Sequence, residues 1–365
     1  MNFSSIEIGT LVGYLIISTF VSFLINWLFL RFTNNLRVKN NADLNQERWK
    51  AETKPSLGGF SFFIVFLISI SVASIFSQQL GGDINKKIIG ILAASTLGFI
   101  IGLADDTYNT NPLVKFMGQL SCAFILILMD VYINVTGNIA IDFGITTLWV
   151  IGLMNSINML DNMDGITTTT SMSIILAAIL FGIYNGVEHI NYLILLIGVF
   201  GALLGFLYFN WTPAKMYMGD TGSQFLGVFL ASISIIFFWN QKENTSEFIQ
   251  IKQFVIPMLV FIVPLIDTIT VSIRRLMRKQ SPFVGGRDHT THHLAFFGFS
   301  EQQVILVLLT ISLISIPLAL LLYTGIIDWT WQINLSAFLY FAVVFFGMQK
   351  VYNVGKQRME AKKQV

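Results

Sequence analysis

Cysteine is nearly absent. Cys122 is the only one in 365 residues, which excludes an intrachain disulfide and a zinc cluster built on thiolates. Charge is scarce as well. Asp, Glu, Lys and Arg make up 12 % of the chain, about half the share of a water-soluble domain. No GxxxxGK[ST] and no GxGxxG occurs, so neither a P-loop nor a dinucleotide fold is supported. No solenoid-type repeat and no long low-complexity segment is visible. No small-residue cleavage site follows the first apolar run, Ile8 to Leu30. That run reads as a retained helix, not a signal peptide.

What the chain does have is apolar length. Hydrophobic residues make up 54 %, with 33 phenylalanines, and the mean hydropathy is +0.70. Apolar segments lie at 8–30, 57–77, 88–104, 113–133, 143–154, 166–184, 190–209, 218–239, 253–273, 303–323 and 333–349. Crossing the hydrocarbon takes about 20 helical residues. The expectation is an all-α, polytopic integral membrane protein with eleven transmembrane helices. The 143–154 segment is short, and reads as tilted, extended or re-entrant.

Charge placement sets the sidedness. With the N-terminus outside, the inner face receives 18 of the 22 Lys and Arg residues. Only Lys86, Lys87, Lys242 and Lys252 fall outside. This is the positive-inside bias, and an odd number of spans satisfies it with a cytoplasmic C-terminus. The chain reads as one membrane-embedded domain over 1–365. Residues 31–56 and 274–302 are its main cytoplasmic loops, and 350–365 is a basic, solvated tail. The run Arg274 to Lys279 needs no role beyond fixing sidedness.

The polar motifs fall on the same inner side. "GLADDTYN" carries Asp105 and Asp106. "NSINMLDNMDG" carries Asn155, Asn158, Asp161, Asn162 and Asp164. "NWTPAKMYMGDTGS" carries Asn210, Lys215, Asp220 and Ser223. "PLIDT" carries Asp267, and "GGRDHTTHH" carries Arg287, His289, His292 and His293. Other acidic residues, Asp130 and Asp142 among them, read as solvated groups near the outer boundary. A carboxylate at membrane depth needs a partner, a metal or water. Asp161 and Asp164 would share a face if helical. Asp105 and Asp106 are adjacent and cannot, so one is free for chemistry while the other orients a partner. Asn155 and Asn162 are equally explained as helix caps. Glycines at 58–59, 219, 222 and 285–286 would let backbone N–H groups approach a ligand. A hard divalent cation with a polyphosphate suits carboxylates facing cationic and neutral donors.

The order and sidedness of "KPSLGG", the "DD" pair, "NxxNxxDNMDG", "NWTPAKMYMGDTGS", "PLIDT" and "HTTHH" resemble the polyprenyl-phosphate N-acetylhexosamine-1-phosphate transferases, glycosyltransferase family 4. The resemblance covers nearly the whole chain. It implies Lys54 as a phosphate contact and Asp105 and Asp106 as the acidic pair near the lipid-phosphate acceptor. It implies Asn158, Asp161 and Asp164 as central-loop polar groups, Asn210 as a nucleotide-side contact and Asp220 as a Mg²⁺ ligand. Asp105 is a second candidate ligand, and Mn²⁺ is a possible substitute ion. His292 and His293 match part of the histidine motif, and Arg287 adds a phosphate-directed cation.

"SPF" followed by H-x-x-H-H departs from the three consecutive histidines of the phospho-N-acetylmuramoyl-pentapeptide transferases. The branch using UDP-N-acetylglucosamine and undecaprenyl phosphate is therefore favoured, with the pentapeptide branch as the alternative. The implied setting is the bacterial cytoplasmic membrane, with the site on its cytoplasmic face. The implied partners are the UDP-sugar, undecaprenyl phosphate and bilayer lipid. A homodimer is compatible with this reading, and no nucleic acid is implied. An ion-coupled transporter is the competing class, since membrane carboxylates also mark ion paths. The clusters here gather at one face and not at the midplane.

Overall fold

A computed structural model describes residues 5–36, 54–79, 85–186, 190–240, 251–280, 288–324 and 330–363. Thirteen α-helices account for most of them. They are α1 (Ser5–Leu36), α2 (Gly58–Gln79), α3 (Lys86–Tyr108), α4 (Pro112–Leu128), α5 (Ile139–Leu160), α6 (Ile166–Asn185), α7 (Ile190–Asn210), α8 (Gly219–Ser234), α9 (Lys252–Val260), α10 (Ile262–Met277), α11 (Thr290–Phe297), α12 (Glu301–Tyr323) and α13 (Trp331–Lys363). A π-helical turn, Ile235–Trp239, extends α8. Among the described residues nine helices are long and apolar enough to cross a membrane, and a tenth crossing is made if α9 and α10 count as one bent span. The protein is a multi-pass helical membrane protein.

Local chemistry sets several boundaries. Asn85, Asn111 and Asn138 cap α3, α4 and α5 by accepting N–H groups of the first turn. Pro112 follows at the first helical position of α4. Ser300 and Gln303 form a reciprocal capping box on α12.

Three expectations need correction. The segment at 143–154 is not among them: it extends at both ends into a 22-residue helix, α5, one of the readings its short apolar run left open. Its polar residues depress its hydropathy, yet each has a partner inside the protein. Asp142 is one of them. It is buried and accepts from the backbone of Val135 and Thr136 and the Thr136 hydroxyl, so it is not a solvated residue. The segment at 253–273 is not one helix. It breaks at Phe261, and α9 and α10 meet at 86°. Pro257 and Pro264 flank the break, and each removes a backbone donor. Residues 350–363 are not a free tail, because α13 continues through them.

The core is aromatic. Phe63 stacks on Phe99 at 4.1 Å between ring centroids, and Phe66 meets Phe225 and Phe229 edge to face. α8 sits at the centre, packed by α2, α3 and α5.

Helix directions follow from side-chain contacts. Tyr14 bonds Ser69 while Asn26 bonds Ser61, so α1 runs antiparallel to α2. Phe23 meets Phe209, and a Cβ on Gly198 would lie against the Tyr14 hydroxyl, so α1 runs parallel to α7. One end of the bundle thus gathers the ends of α1, α3, α5, α7, α10 and α13 and the starts of α2, α4, α6, α8 and α12. The start of α1 lies at the opposite end.

Candidate functional site

The polar motifs meet at that gathered end. Asp105 lies in the last turn of α3, and Thr110 holds its Oδ1 through backbone N–H (3.0 Å) and hydroxyl (2.6 Å). Its Oδ2 faces the Lys115 ammonium at 2.6 Å. Lys115, from the first turn of α4, also reaches Asp220 Oδ2 at 3.2 Å and Asn158 Oδ1 at 3.4 Å. Asn158, near the end of α5, donates to Asp220 Oδ1 (2.8 Å) and the Ser223 hydroxyl (2.9 Å). Four helices therefore supply one cluster of Asp105, Lys115, Asn158 and Asp220. It is not sealed, since the Asp105 and Asp220 side chains are 11 % and 21 % exposed.

Asp106 has a different task. α8 has no side-chain cap of its own. Asp106 accepts the free N–H groups of Asp220 (2.9 Å) and Thr221 (2.9 Å), and the Thr221 hydroxyl at 2.6 Å. A carboxylate at a helix N-terminus satisfies orphan donors and complements the helix dipole. Gly219 makes the turn that permits this. Its φ is +74°, and a Cβ there would lie 2.6 Å from Asp106 Oδ2. The glycines beside the site let chains meet closely.

A second layer lies one turn deeper. Gln119, Asn155 and Gln224 come from α4, α5 and α8. Gln119 Nε2 donates to Gln224 Oε1 at 3.1 Å, and Asn155 Nδ2 to Gln119 Oε1 at 2.9 Å. Asn155 is thus a cross-helix partner and not a cap.

The central loop is a non-helical turn over 161–165, so Asp161 and Asp164 do not share a helix face. Asp161 ends α5, its N–H bonding Asn158 O, and Asp164 accepts from the Ala214 N–H at 2.8 Å. Asn210 is buried, accepts from Gly165 N–H and the Thr168 hydroxyl, and donates to Met216 O. It stitches the 165 turn to the 211–218 loop. Backbone pairs from residues 55–59 to residues 217–218 put Lys54 beside Tyr217, with its ammonium 5.6 Å from the ring centre.

The histidine motif sits on α11. His289 Nδ1 pairs with Asp267 Oδ2 at 2.9 Å, and Asp267 Oδ1 accepts the Thr290 N–H at 2.7 Å. Asp267 caps α11 as Asp106 caps α8. The Thr291 hydroxyl donates to Asn162 Oδ1 at 2.7 Å, which ties α11 to the turn after Asn158. His292 and His293 are buried. Burial, reinforced by the neighbouring His289, pushes the His292 imidazole down to about 3. Burial, with the Arg274 charge beside it, pushes His293 down to about 4. Both are neutral near pH 7. Arg275 binds Asp288 in two places, at 3.0 and 2.6 Å. Against the opposing effect of burial, that guanidinium holds the Asp288 carboxyl below its ordinary range. The basic run after 273 therefore does more than fix sidedness. Arg287 lies outside the described residues.

Lys115, Gln119, Gln224 and Thr110 belong to this site by geometry, though no motif singled them out. For Lys115 the available signal was an isolated cation at the start of an apolar run, ten residues after Asp105.

Residues 88–238 match glycosyl transferase family 4. The chain is 29 % identical over 301 residues to a probable undecaprenyl-phosphate N-acetylglucosaminyl 1-phosphate transferase of Bacillus subtilis, covering 80 % of this chain and 78 % of that one. It is 28 % identical to a decaprenyl-phosphate N-acetylglucosaminephosphotransferase of Mycobacterium tuberculosis, covering 70 % and 68 %. It is 30 % identical to a phospho-N-acetylmuramoyl-pentapeptide-transferase of Staphylococcus saprophyticus, covering 74 % and 85 %. Of the two kinds of relative, the similarity is stronger to the N-acetylglucosamine-phosphate transferases. A multi-pass bundle with a carboxylate–lysine cluster at one end, and relatives matched along most of their length, place this chain in glycosyl transferase family 4.

Proposed function

We propose that the protein transfers N-acetylglucosamine-1-phosphate from UDP-N-acetylglucosamine to undecaprenyl phosphate. A lipid phosphate oxygen attacks the sugar-linked phosphorus, the bond to the UMP oxygen breaks, and UMP leaves. The cluster of Asp105, Lys115, Asn158 and Asp220 carries this reading. It combines a cation with oxygen ligands at the end of a membrane bundle, where a lipid phosphate can arrive with its tail still in the bilayer.

Each residue has a task in that reaction. Lys115 offers an ammonium to phosphate and offsets repulsion between two anionic substrates. Asn158 orients the Asp220 carboxylate, and Thr110 orients Asp105. Asp106 holds the first turn of α8 in place. A phosphate monoester is already largely ionised near neutrality, so no strong base is required. His292 and His293, being neutral, serve as uncharged hydrogen-bonding groups toward the donor. Lys54 supplies a further phosphate contact.

The donor set fits Mg²⁺. Hard carboxylate oxygens of Asp105 and Asp220 converge from two helices, beside the Asn158 carbonyl oxygen. Among the described residues no three His, Cys, Asp or Glu side chains are grouped to hold an ion alone. Mg²⁺ commonly takes only one or two carboxylates and leaves the rest to phosphate and water. When bound, it would polarise the diphosphate and stabilise the departing UMP.

We place the protein in the bacterial cytoplasmic membrane with eleven crossings. The bent α9–α10 pair and the 17-residue α4 complete the count. The site faces the cytoplasm, as the charge bias favours. Donor profiling of purified protein with undecaprenyl phosphate and Mg²⁺ tests the reading. UDP-N-acetylglucosamine should give the dominant lipid product by mass, with UMP released and little product from UDP-muramoyl-pentapeptide. A dominant muramoyl-pentapeptide lipid would reject the branch and keep the class. Ion flux without lipid product would reject the class.

A further inference from the structure

The last turns of α13 close over the histidine helix. Tyr352 is 1 % exposed. His293 stacks on its ring with centroids 3.6 Å apart and 30° between planes. The Arg274 guanidinium carbon lies 3.6 Å from the same ring centre. Two groups so close cannot occupy one face, so Arg274, Tyr352 and His293 form a sandwich. The Tyr352 hydroxyl accepts from Arg278 at 3.1 Å. Arg274 is held by α13 as well, donating to Gln349 Oε1 (2.7 Å) and Asn353 Oδ1 (2.9 Å). These residues recur at helical spacing and form one face. A further α13 residue, Gly355, touches the histidine helix directly. A Cβ on Gly355 would lie 2.5 Å from the His293 carbonyl oxygen.

His293 also has bonding capacity in reserve. Its Nδ1 is buried and has no hydrogen-bond partner among the described residues. A buried polar atom left unpaired is destabilising, and a ligand at the site would supply the partner. α11 is tied to the Asn162 turn on one side and clamped by α13 on the other.

We infer that the end of α13 belongs to the donor-binding apparatus, with Tyr352 as the positioning residue that orients the His293 imidazole and Arg274 as its backing. The inference rests on the proposed sugar-phosphate transfer and deepens it. Tyr352 acts through His293 and touches no reacting atom. The stacked ring excludes water from one face of the imidazole, and Arg274 disfavours a second cation on the same aromatic surface.

The test uses the full chain with Tyr352→Leu, Tyr352→Phe and Gly355→Ala. Alanine is a better helix former than glycine, so Gly355→Ala strengthens α13 intrinsically while pressing on the His293 backbone. A 1 Å misplacement near a reacting centre can be severe, so kcat/KM for the UDP-sugar should fall about 10- to 100-fold in Tyr352→Leu and Gly355→Ala. The KM for lipid phosphate should stay near the unsubstituted value. Tyr352→Phe keeps the stack and should restore most of the activity lost in Tyr352→Leu.

A second readout is independent of turnover. Diethylpyrocarbonate should modify His293 slowly in the unsubstituted protein and faster in Tyr352→Leu, as followed by peptide mass spectrometry. Full kcat/KM in both damaging variants, or no change in His293 reactivity, would overturn the inference. Absence of any transfer by the unsubstituted protein would reject the proposed function. The His293 modification rate would then still decide the clamp.

Discussion

At the residue scale, two carboxylates serve as caps for helices other than their own. Asp106 closes the start of α8 and Asp267 the start of α11. The sequence located both residues and could not assign these tasks, because the capped N–H groups are 114 and 23 residues away. Asp220→Asn keeps a carbonyl oxygen for Asn158 and removes the charge facing Lys115 and the proposed ion. Turnover should drop by at least about 100-fold with the fold intact, as loss of a charge-stabilising group commonly does. Unchanged turnover across a Mg²⁺ titration would dismiss Asp220 as a ligand.

The histidines predict acid lability. In the unfolded chain both titrate at about 6.5, whereas in the fold His292 lies at about 3 and His293 at about 4. Between those limits the unfolded state binds more protons, so stability falls as pH falls from about 6.5 and is flat above it. Asp288, held below its ordinary range, adds a loss in the same direction at lower pH. Thermal melts in detergent from pH 8 to pH 4 check this. A melting temperature that rises on acidification would contradict it.

At the element scale, hydropathy located nearly every helix, because spans of this kind are written in composition. It missed what depends on pairing. α5 looked short because Asp142, Asn155 and Asn158 are polar, although Asp142 is satisfied by the preceding loop and Asn155 and Asn158 by other helices. The α9–α10 break was legible only through Pro257 and Pro264. The C-terminal helix looked solvated, because a tyrosine among basic residues gives no sign of burial until α10 and α11 are placed beside it.

Close contact between α3 and α8 gives the next prediction. A Cβ at Gly102 would stand 2.2 Å from the Asp220 carbonyl oxygen. That atom is backbone, and α8 must move to make room. Gly102→Ala should destabilise by about 1–3 kcal/mol. It should also cost activity out of proportion, by pulling Asp220 and Thr221 from Asp106. The two effects can be read from the melting temperature and the residual turnover of the same sample. A variant as active and stable as the parent would mean that α3 and α8 are not so closely seated.

At the scale of the whole molecule, α1 starts at one end of the bundle and α13 finishes at the other. Together with 18 of the 22 basic residues on one side of the expected topology, this predicts a cytoplasmic C-terminus. A cytoplasm-reporting domain fused after Val365 should be active, and a periplasm-reporting domain should be silent. The reverse pattern would invert the sidedness of the site.

The lysine at the centre of the cluster has a further consequence. Lys115 is anchored to α4, so it cannot diffuse away as a free ion does. Between turnovers it stays wedged between Asp105 and Asp220 and keeps two like charges from forcing their helices apart. In the proposed reaction an arriving phosphate would draw the ammonium toward itself and leave the two carboxylates open to a new cation. Substrate entry would thus unlatch the lysine bridge, and an idle protein would keep α3 and α8 joined through it.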